Sequence, residues 1–202
     1  RRQRAALMDF FSLLLGYFLG SIPSGWLAGR WLKGIDLREL GSGSTGATNV
    51  LRQVGKGPAL VVFLIDVGKG AAAVLIARAL GLGDWIQVLA GLTALAGHIW
   101  PVWLGFKGGK AVATGLGLFL GLAWPVGLAS FGVFLLTLWF FRIVSLSSVL
   151  AALSLPLLMI RFSGIGPYVL IALVAMGLVL WRHRSNLSRI LEGSEPKLGH
   201  KD

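Results

Sequence analysis

Apolar runs long enough to cross a bilayer recur in series along this chain, and that recurrence limits its fold more than any other feature. The runs are 8–29, 58–80, 85–104, 111–123, 124–141, 146–161 and 165–181. A membrane-crossing helix needs about 20 mostly apolar residues. The stretch 111–141 is too long for one crossing and too short for two full ones. Gly121 and Pro125 punctuate its middle, so it divides into a short helix and a longer one. Composition agrees: 55% of residues are hydrophobic and 13% charged, with a mean hydropathy of +0.79. A soluble domain needs more polar surface than this, and because the runs are several, a single anchor on a soluble domain is excluded. The expected fold class is all-α, a polytopic membrane helix bundle of seven spans. Its 29 glycines suit close helix packing.

Charge sets the expected topology. With Met8 outside, the inner segments hold Arg30, Lys33, Arg38, Arg52, Lys56, Lys107, Lys110, Arg142, Arg182, Arg184, Arg189, Lys197 and Lys201, which is 13 of the 19 basic residues. The outer turns 81–84 and 122–125 hold none. The positive-inside rule therefore predicts an external N-terminus and a cytoplasmic tail. The net charge of +11 then faces an anionic leaflet, and no nucleic-acid partner is expected. Arg1-Arg2-Gln3-Arg4 precedes Met8, and residues 1–7 are expected to be a remnant or a misassigned start. Residues 8–202 are expected to form one domain. The run 10–20 resembles a signal-peptide core, but no small-residue cleavage site follows, so it is expected to be retained. With no cysteine, disulfides and thiolate chemistry are excluded.

This topology puts each polar, glycine-rich segment (41–49, 105–110, 145–148 and 182–200) on the cytoplasmic face. The first reads Gly41-Ser42-Gly43-Ser44-Thr45-Gly46-Ala47-Thr48-Asn49, with Arg52 after it. Gly41 and Gly46 have P-loop spacing, but Ala47 stands in the lysine position and no strand precedes, which argues against a nucleotide triphosphatase. Glycines let successive N–H groups converge on an anion. The hydroxyls of Ser42, Ser44, Thr45 and Thr48 add donors, and a helix starting near Thr48 would favour an anion further. Arg52 supplies the cationic fork. The alternative is a flexible Gly/Ser linker.

The second segment runs from His98 through Lys107-Gly108-Gly109-Lys110 to Thr114. Two lysines flank a glycine pair just before a helix, which suits phosphate; a snorkelling lysine pair is the alternative. His98 lies near the inner end of an apolar span, where an ionisable group suggests function. A packed histidine bonded to a carbonyl is equally consistent.

The third segment is Ser145-Leu146-Ser147-Ser148, in which a serine can cap the following helix and the others can contact ligand. In the fourth, His183 and Asn186 are spaced i, i+3 and are expected to share a helix face, while Glu195 is expected to pair with an Arg or Lys. Asp66 and Lys69, also i, i+3, are expected to neutralise each other within a span. The sequence has no metal-binding constellation and no serine-hydrolase elbow, so neither metal nor cofactor is expected.

Taken together, S-G-S-T-G-A-T-N-x-x-R, G-H-x-x-P-V-x-L-G-F-K-G-G-K-x-V-A-T, S-L-S-S and H-R-x-N with a later E-x-K closely resemble the bacterial acyl-phosphate:glycerol-3-phosphate acyltransferase family of the PlsY type. The match runs from about Gly20 to Lys197, in order. The resemblance implies a multi-pass inner-membrane enzyme that begins phospholipid synthesis from the cytoplasmic side. It would move a fatty acyl chain from acyl phosphate to the 1-hydroxyl of glycerol 3-phosphate, releasing lysophosphatidate and phosphate. Its expected partners are these substrates and membrane lipids, and it is expected to be a monomer.

The expected catalytic residues are Ser42, Asn49, Arg52, His98, Lys110 and His183. The expected substrate contacts are Gly41, Gly43, Ser44, Thr45, Gly46 and Thr48 in the first segment, and Lys107, Gly108, Gly109 and Thr114 in the second. Ser145, Ser147, Ser148 and Asn186 complete them. Ser42, Thr45 and Asn49 are expected to hold the acyl phosphate and steady the oxyanion, while Arg52, Lys110, Ser147 and His183 clamp the glycerol phosphate. The reverse assignment of loops stays open, as does an acyl-Ser42 intermediate. A phosphate-ester transporter is the alternative from another class, although no two-half repeat supports it.

Overall fold

The computed structural model describes residues 2–199, and side chains from residue 3. Arg1, His200, Lys201 and Asp202 lie outside the described residues, and with them the expected inner placement of Lys201. The described residues form helices and no strand. The chain divides after Leu122 into two compact units.

The first unit begins with α1 (Arg2–Ser21) and α2 (Ser24–Lys33). The sequence predicts one span over 8–29, but the structure breaks it at Ile22–Pro23. Proline lacks an N–H and its ring clashes with the preceding turn, so a helix ends ahead of it. α2 ends at Gly34, whose φ of 68° turns the chain so that the Ile35 N–H reaches back to the Gly29 carbonyl at 3.2 Å, beside the Gly34 N–H on the Arg30 carbonyl at 3.1 Å. A 3-10 turn (Leu37–Glu39) follows, then α3 (Ala47–Gln53), α4 (Lys56–Ala79), α5 (Asp84–Ile99), a second 3-10 turn (Val102–Leu104) and α6 (Val112–Leu122).

α4 packs against α6, and α1 against α5. Both pairs pack at backbone distance. A Cβ on Gly117 would strike the Val67 carbonyl, and one on Gly97 would strike the Tyr17 carbonyl. In lipid there is little hydrophobic drive between helices, so such close approach supplies the dispersion contact that holds them. Leu37 and Val50 are wholly buried with Ala59 and Val62 of α4, which seats the first glycine-rich segment on the bundle.

The second unit comprises α7 (Trp124–Phe141), α8 (Val144–Ser163), α9 (Pro167–Arg182) and α10 (Arg184–Leu191). α8 packs on both α7 and α9. α9 and α10 meet at a 60° bend, at His183. The predicted split of 111–141 falls where the structure breaks: α6 ends at Leu122 and α7 starts at Trp124, with Pro125 in its first turn.

Five helical stretches are long and apolar enough to cross a membrane, and a sixth if α9 and α10 count as one bent span. α6, with eleven residues, extends about 16 Å and falls short of a hydrocarbon core of about 30 Å. Outward faces are apolar: Leu60, Leu64, Leu136, Trp139 and Phe140 are exposed, as lipid-facing positions should be.

Candidate active site

In the first unit two glycine-rich loops are built by different means. Loop one, 41–46, leaves the 3-10 turn through Gly41 and Gly43, both left-handed at φ 57° and 67°, where glycine alone adds no steric cost. α3 begins at Ala47, one residue ahead of the expected Thr48, with Gly46 extended before it. Asn49 is 1% exposed. Its Nδ2 points at the carbonyls of Leu37 and Leu40, both at 3.0 Å, and of Ser44 at 2.9 Å. Its Oδ1 accepts from the Ser42 N–H at 3.4 Å. This side chain fixes the loop from within, with both polar atoms on backbone groups. Ser44 Oγ accepts from the Gly46 N–H at 3.3 Å. Ser42 is exposed, Thr45 buried, Thr48 half-buried, and Arg52 exposed in the last turn of α3.

Loop two, 105–110, is carried on the end of α5. The Gly108 N–H donates to the Ile99 carbonyl at 3.0 Å, and the Gly109 N–H to the His98 carbonyl at 3.1 Å. Gly109 is so close to the His98 ring that an added Cβ would collide with Nε2. Phe106 and Ala111, at φ 63° and 60°, flank the lysines; each such non-glycine conformation costs about 1–3 kcal/mol. Lys107 is exposed and Lys110 half-buried. α1 braces the approach to this loop. Tyr17 Oη donates to the Trp100 carbonyl at 2.8 Å, and Trp103 Nε1 to Ser21 Oγ at 3.0 Å.

Behind the loops runs a buried polar chain. Ser24 Oγ donates to Asp66 Oδ1 at 2.7 Å. Lys69 Nζ pairs with the same oxygen at 2.8 Å and donates to the Ile22 carbonyl at 3.0 Å. That carbonyl is at the break between α1 and α2, where helical bonding has stopped. His98 Nδ1 lies 3.8 Å from Asp66 Oδ1 and 3.1 Å from Thr114 Oγ1. A small pocket borders the chain, lined among others by Ser24, Thr45, Lys69, His98 and Pro101. The expected Asp66–Lys69 pair is present, but it belongs to a larger set that includes His98, Thr114 and loop one's Thr45. Ser24 does not stand out in the sequence. Its one signal there is Pro23, which breaks an apolar run beside a serine.

Near the loops, outside the spans, Asp36 caps the first 3-10 turn and is gripped by Arg38 through Nε at 3.0 Å and Nη2 at 2.7 Å. These hydrogen bonds hold the Asp36 carboxyl well below the usual carboxylate range. Neither residue is marked by sequence as part of the site.

In the second unit Glu195 is the hub. It accepts from Ser145 Oγ at 2.7 Å, Asn186 Nδ2 at 2.6 Å and Arg189 Nε at 2.7 Å. Burial pushes its carboxyl up, but these three hydrogen bonds outweigh that and hold it below its ordinary value. The expected cationic partner is Arg189. No serine side chain caps α8, contrary to expectation: Ile143 is the capping residue. Ser147 and Ser148 lie in the first turns, and their hydroxyls donate to the carbonyls of Ile143 and Val144 at 2.8 and 2.9 Å. Both are buried, so these back-bonds satisfy hydroxyls in an apolar helix. His183 and Asn186 do not share a continuous helix face, because the chain bends at His183. There Nδ1 faces the Val179 carbonyl at 2.8 Å. A carbonyl only accepts, so Nδ1 carries a proton, and in the neutral ring Nε2 is the basic nitrogen.

Among the described residues no group of histidine and acidic side chains could hold a metal ion.

Known proteins place these features in a family. The sequence matches the family of glycerol-3-phosphate acyltransferases over residues 10–193. It is 73% identical over 189 residues to a glycerol-3-phosphate acyltransferase of Parasynechococcus marenigrum (strain WH8102), covering 94% of this chain and 89% of that one. It is 73% identical over 198 residues to the glycerol-3-phosphate acyltransferase of Synechococcus sp. (strain CC9605), covering 98% of each. The fold is similar to the crystal structure of PlsY (YgiH), an integral membrane glycerol 3-phosphate acyltransferase. In that protein's glycerol 3-phosphate form the TM-score is 0.90 at 40% identity, covering 95% of this chain and 96% of that one. In its lysophosphatidic acid form the TM-score is 0.87 at 39% identity, with 95% of each covered. The chain belongs to the glycerol-3-phosphate acyltransferase family.

Proposed function

We propose that this protein uses acyl phosphate as its donor, acylates the 1-hydroxyl of glycerol 3-phosphate and releases lysophosphatidate and inorganic phosphate. The proposed setting is the bacterial inner membrane, with seven segments in the bilayer and the reaction on the cytoplasmic side. The observation that carries this reading is the pair of glycine-rich loops, one lined by hydroxyls and bordering a small polar pocket through Thr45, the other bearing two lysines and bonded to His98 and Ile99 at the end of α5. Both substrates bring phosphate, and each loop suits one anion. The solved relative has a glycerol 3-phosphate form and a lysophosphatidic acid form, an acceptor and a product of this transfer.

In the proposed mechanism O1 of glycerol 3-phosphate attacks the acyl carbonyl directly. The new ester C–O bond forms as the bond to the phosphate oxygen breaks, and the departing phosphate takes the hydroxyl proton. An acyl phosphate is a mixed anhydride with a good leaving group, so proximity and oxyanion stabilisation supply most of the catalysis. Loop one, through Ser42, Thr45 and its backbone N–H groups, holds the acyl phosphate. Loop two, through Lys107, the Gly108–Gly109 backbone and Lys110, holds the glycerol phosphate. Arg52, on the helix that follows loop one, is a further proposed phosphate contact. Asn49 acts by shaping loop one.

The test is turnover of purified protein with radiolabelled glycerol 3-phosphate and one of three donors: palmitoyl phosphate, palmitoyl-CoA or palmitoyl-acyl carrier protein. Lysophosphatidate is expected with the phosphate donor alone. Equal product from a thioester donor would overturn the reading.

A further inference from the structure

Arg38 lies outside both glycine-rich loops, yet its guanidinium is bonded to the base of each. On one side its Nε and Nη2 grip both oxygens of Asp36, at 3.0 and 2.7 Å. Asp36 caps the 3-10 turn by accepting from the Arg38 N–H at 3.0 Å, and is 7% exposed. Loop one hangs from that turn. The Gly43 N–H donates to the Leu40 carbonyl at 3.0 Å, and Asn49 ties Leu37 and Leu40 to Ser44. Gly43 also backs onto the Arg38 carbonyl, where an added Cβ would sit at 3.2 Å.

On the other side Arg38 Nη1 donates to the Leu104 carbonyl at 3.1 Å, across 66 positions of sequence. The same carbonyl accepts from the Lys107 N–H at 3.3 Å, so it starts the turn that presents Lys107. Leu104 itself is buried, which fixes that end.

We infer that Arg38, locked by Asp36, is a positioning residue that sets the spacing of the two glycine-rich loops, and thereby the distance between the two phosphate-bearing reactants. The inference rests on the reading that the loops hold the two substrates. The planar fork is needed for it: two parallel bonds fix the guanidinium plane, and the third N–H direction then points at a defined place. Lysine retains the charge but is a point donor on a flexible stem and cannot hold both anchors in register.

The consequence is kinetic. Each loop by itself still binds its anion, but attack needs the reacting atoms in line at near contact. A misplacement of about 1 Å can lower the rate about 100-fold.

The experiment compares Arg38→Lys and Asp36→Asn with the parent chain in detergent, reading kcat, the KM of each substrate and the thermal unfolding midpoint. Expected for both variants is a fall in kcat of about 30–100-fold, each KM within about 3-fold of the parent. A tenfold rise in one KM with kcat preserved would make Arg38 a direct phosphate contact and overturn the inference. So would an unchanged kcat with a lowered unfolding midpoint, which would leave Arg38 a simple brace. If Arg38→Lys does not fold, Asp36→Asn, which loses charge and little volume, decides by the same criteria. The comparison is run with whichever acyl donor the parent turns over, so a failure of the acyl-phosphate reading is seen separately in the parent.

Discussion

Ser24 Oγ and Asp66 Oδ1 meet at 2.7 Å although 42 residues separate them, joining the start of α2 to the middle of α4. The bond makes a proline break into a structural junction. Asp66 is shared by the Ser24 hydroxyl and the Lys69 ammonium, and Lys69 in turn satisfies the Ile22 carbonyl that the break exposes. Asp66 and Lys69 have side chains 1% and 3% exposed, so neither charge has bulk water to fall back on.

Removing one partner should therefore destabilise the protein strongly. Lys69→Met leaves the Asp66 carboxylate buried without its ammonium partner, and breaking a buried pair costs about 3–5 kcal/mol. Thermal unfolding in detergent should show a large drop for Lys69→Met and for Asp66→Leu, and a smaller one for the double variant, which buries no charge. A single variant that melts with the parent would refute the pairing as a stabilising contact.

Ser42 is exposed on loop one, so its replacement should leave the fold alone. Ser42→Ala is expected to lower kcat about 100-fold or more, the scale for losing one oxyanion donor, at an unchanged unfolding midpoint. A single-turnover reaction without glycerol phosphate should trap no acyl-enzyme. Recovery of acyl-Ser42 by mass spectrometry would replace direct transfer with a two-step route.

Asn49→Ala should damage loop and stability together. The amide serves three carbonyls from a buried position, and each buried polar group left unsatisfied costs about 1–3 kcal/mol. Asn49→Asp should be no better, because a carboxylate would face carbonyl oxygens. Limited proteolysis of loop one in both variants tests this; a cleavage rate equal to the parent's would mean that Asn49 does not hold the loop in shape.

Glu195 predicts an acid-sensitive tail. Its folded pKa is lowered by Ser145, Asn186 and Arg189 against the upward push of burial. A carboxyl depressed in the folded state contributes stability that is full above its unfolded value, about 4.3. That stability is lost as pH falls through the folded value. The gap in unfolding midpoint between the parent and Glu195→Gln should be constant from pH 7 to 5 and narrow below about pH 4.3. A gap as wide at pH 3 as at pH 7 would mean that the charge of Glu195 contributes nothing.

The class of fold was legible in the amino-acid order because lipid imposes a local rule. Each crossing must bury its own backbone bonds in an apolar helix, so apolar length, Gly121 and Pro125 were enough to locate the break before Trp124. The turns of the glycine loops were legible for a similar reason, since a left-handed φ at Gly41, Gly43 or Gly105 is a property of the single residue. Pairings across long separations were not. Nothing near Asp66 announces Ser24 or His98, and nothing near Arg38 announces the Leu104 carbonyl. Helix propensity and hydropathy act over a few residues. Which buried polar atom meets which is decided when packed helices bring distant turns together, and there an unpartnered group is too costly to leave.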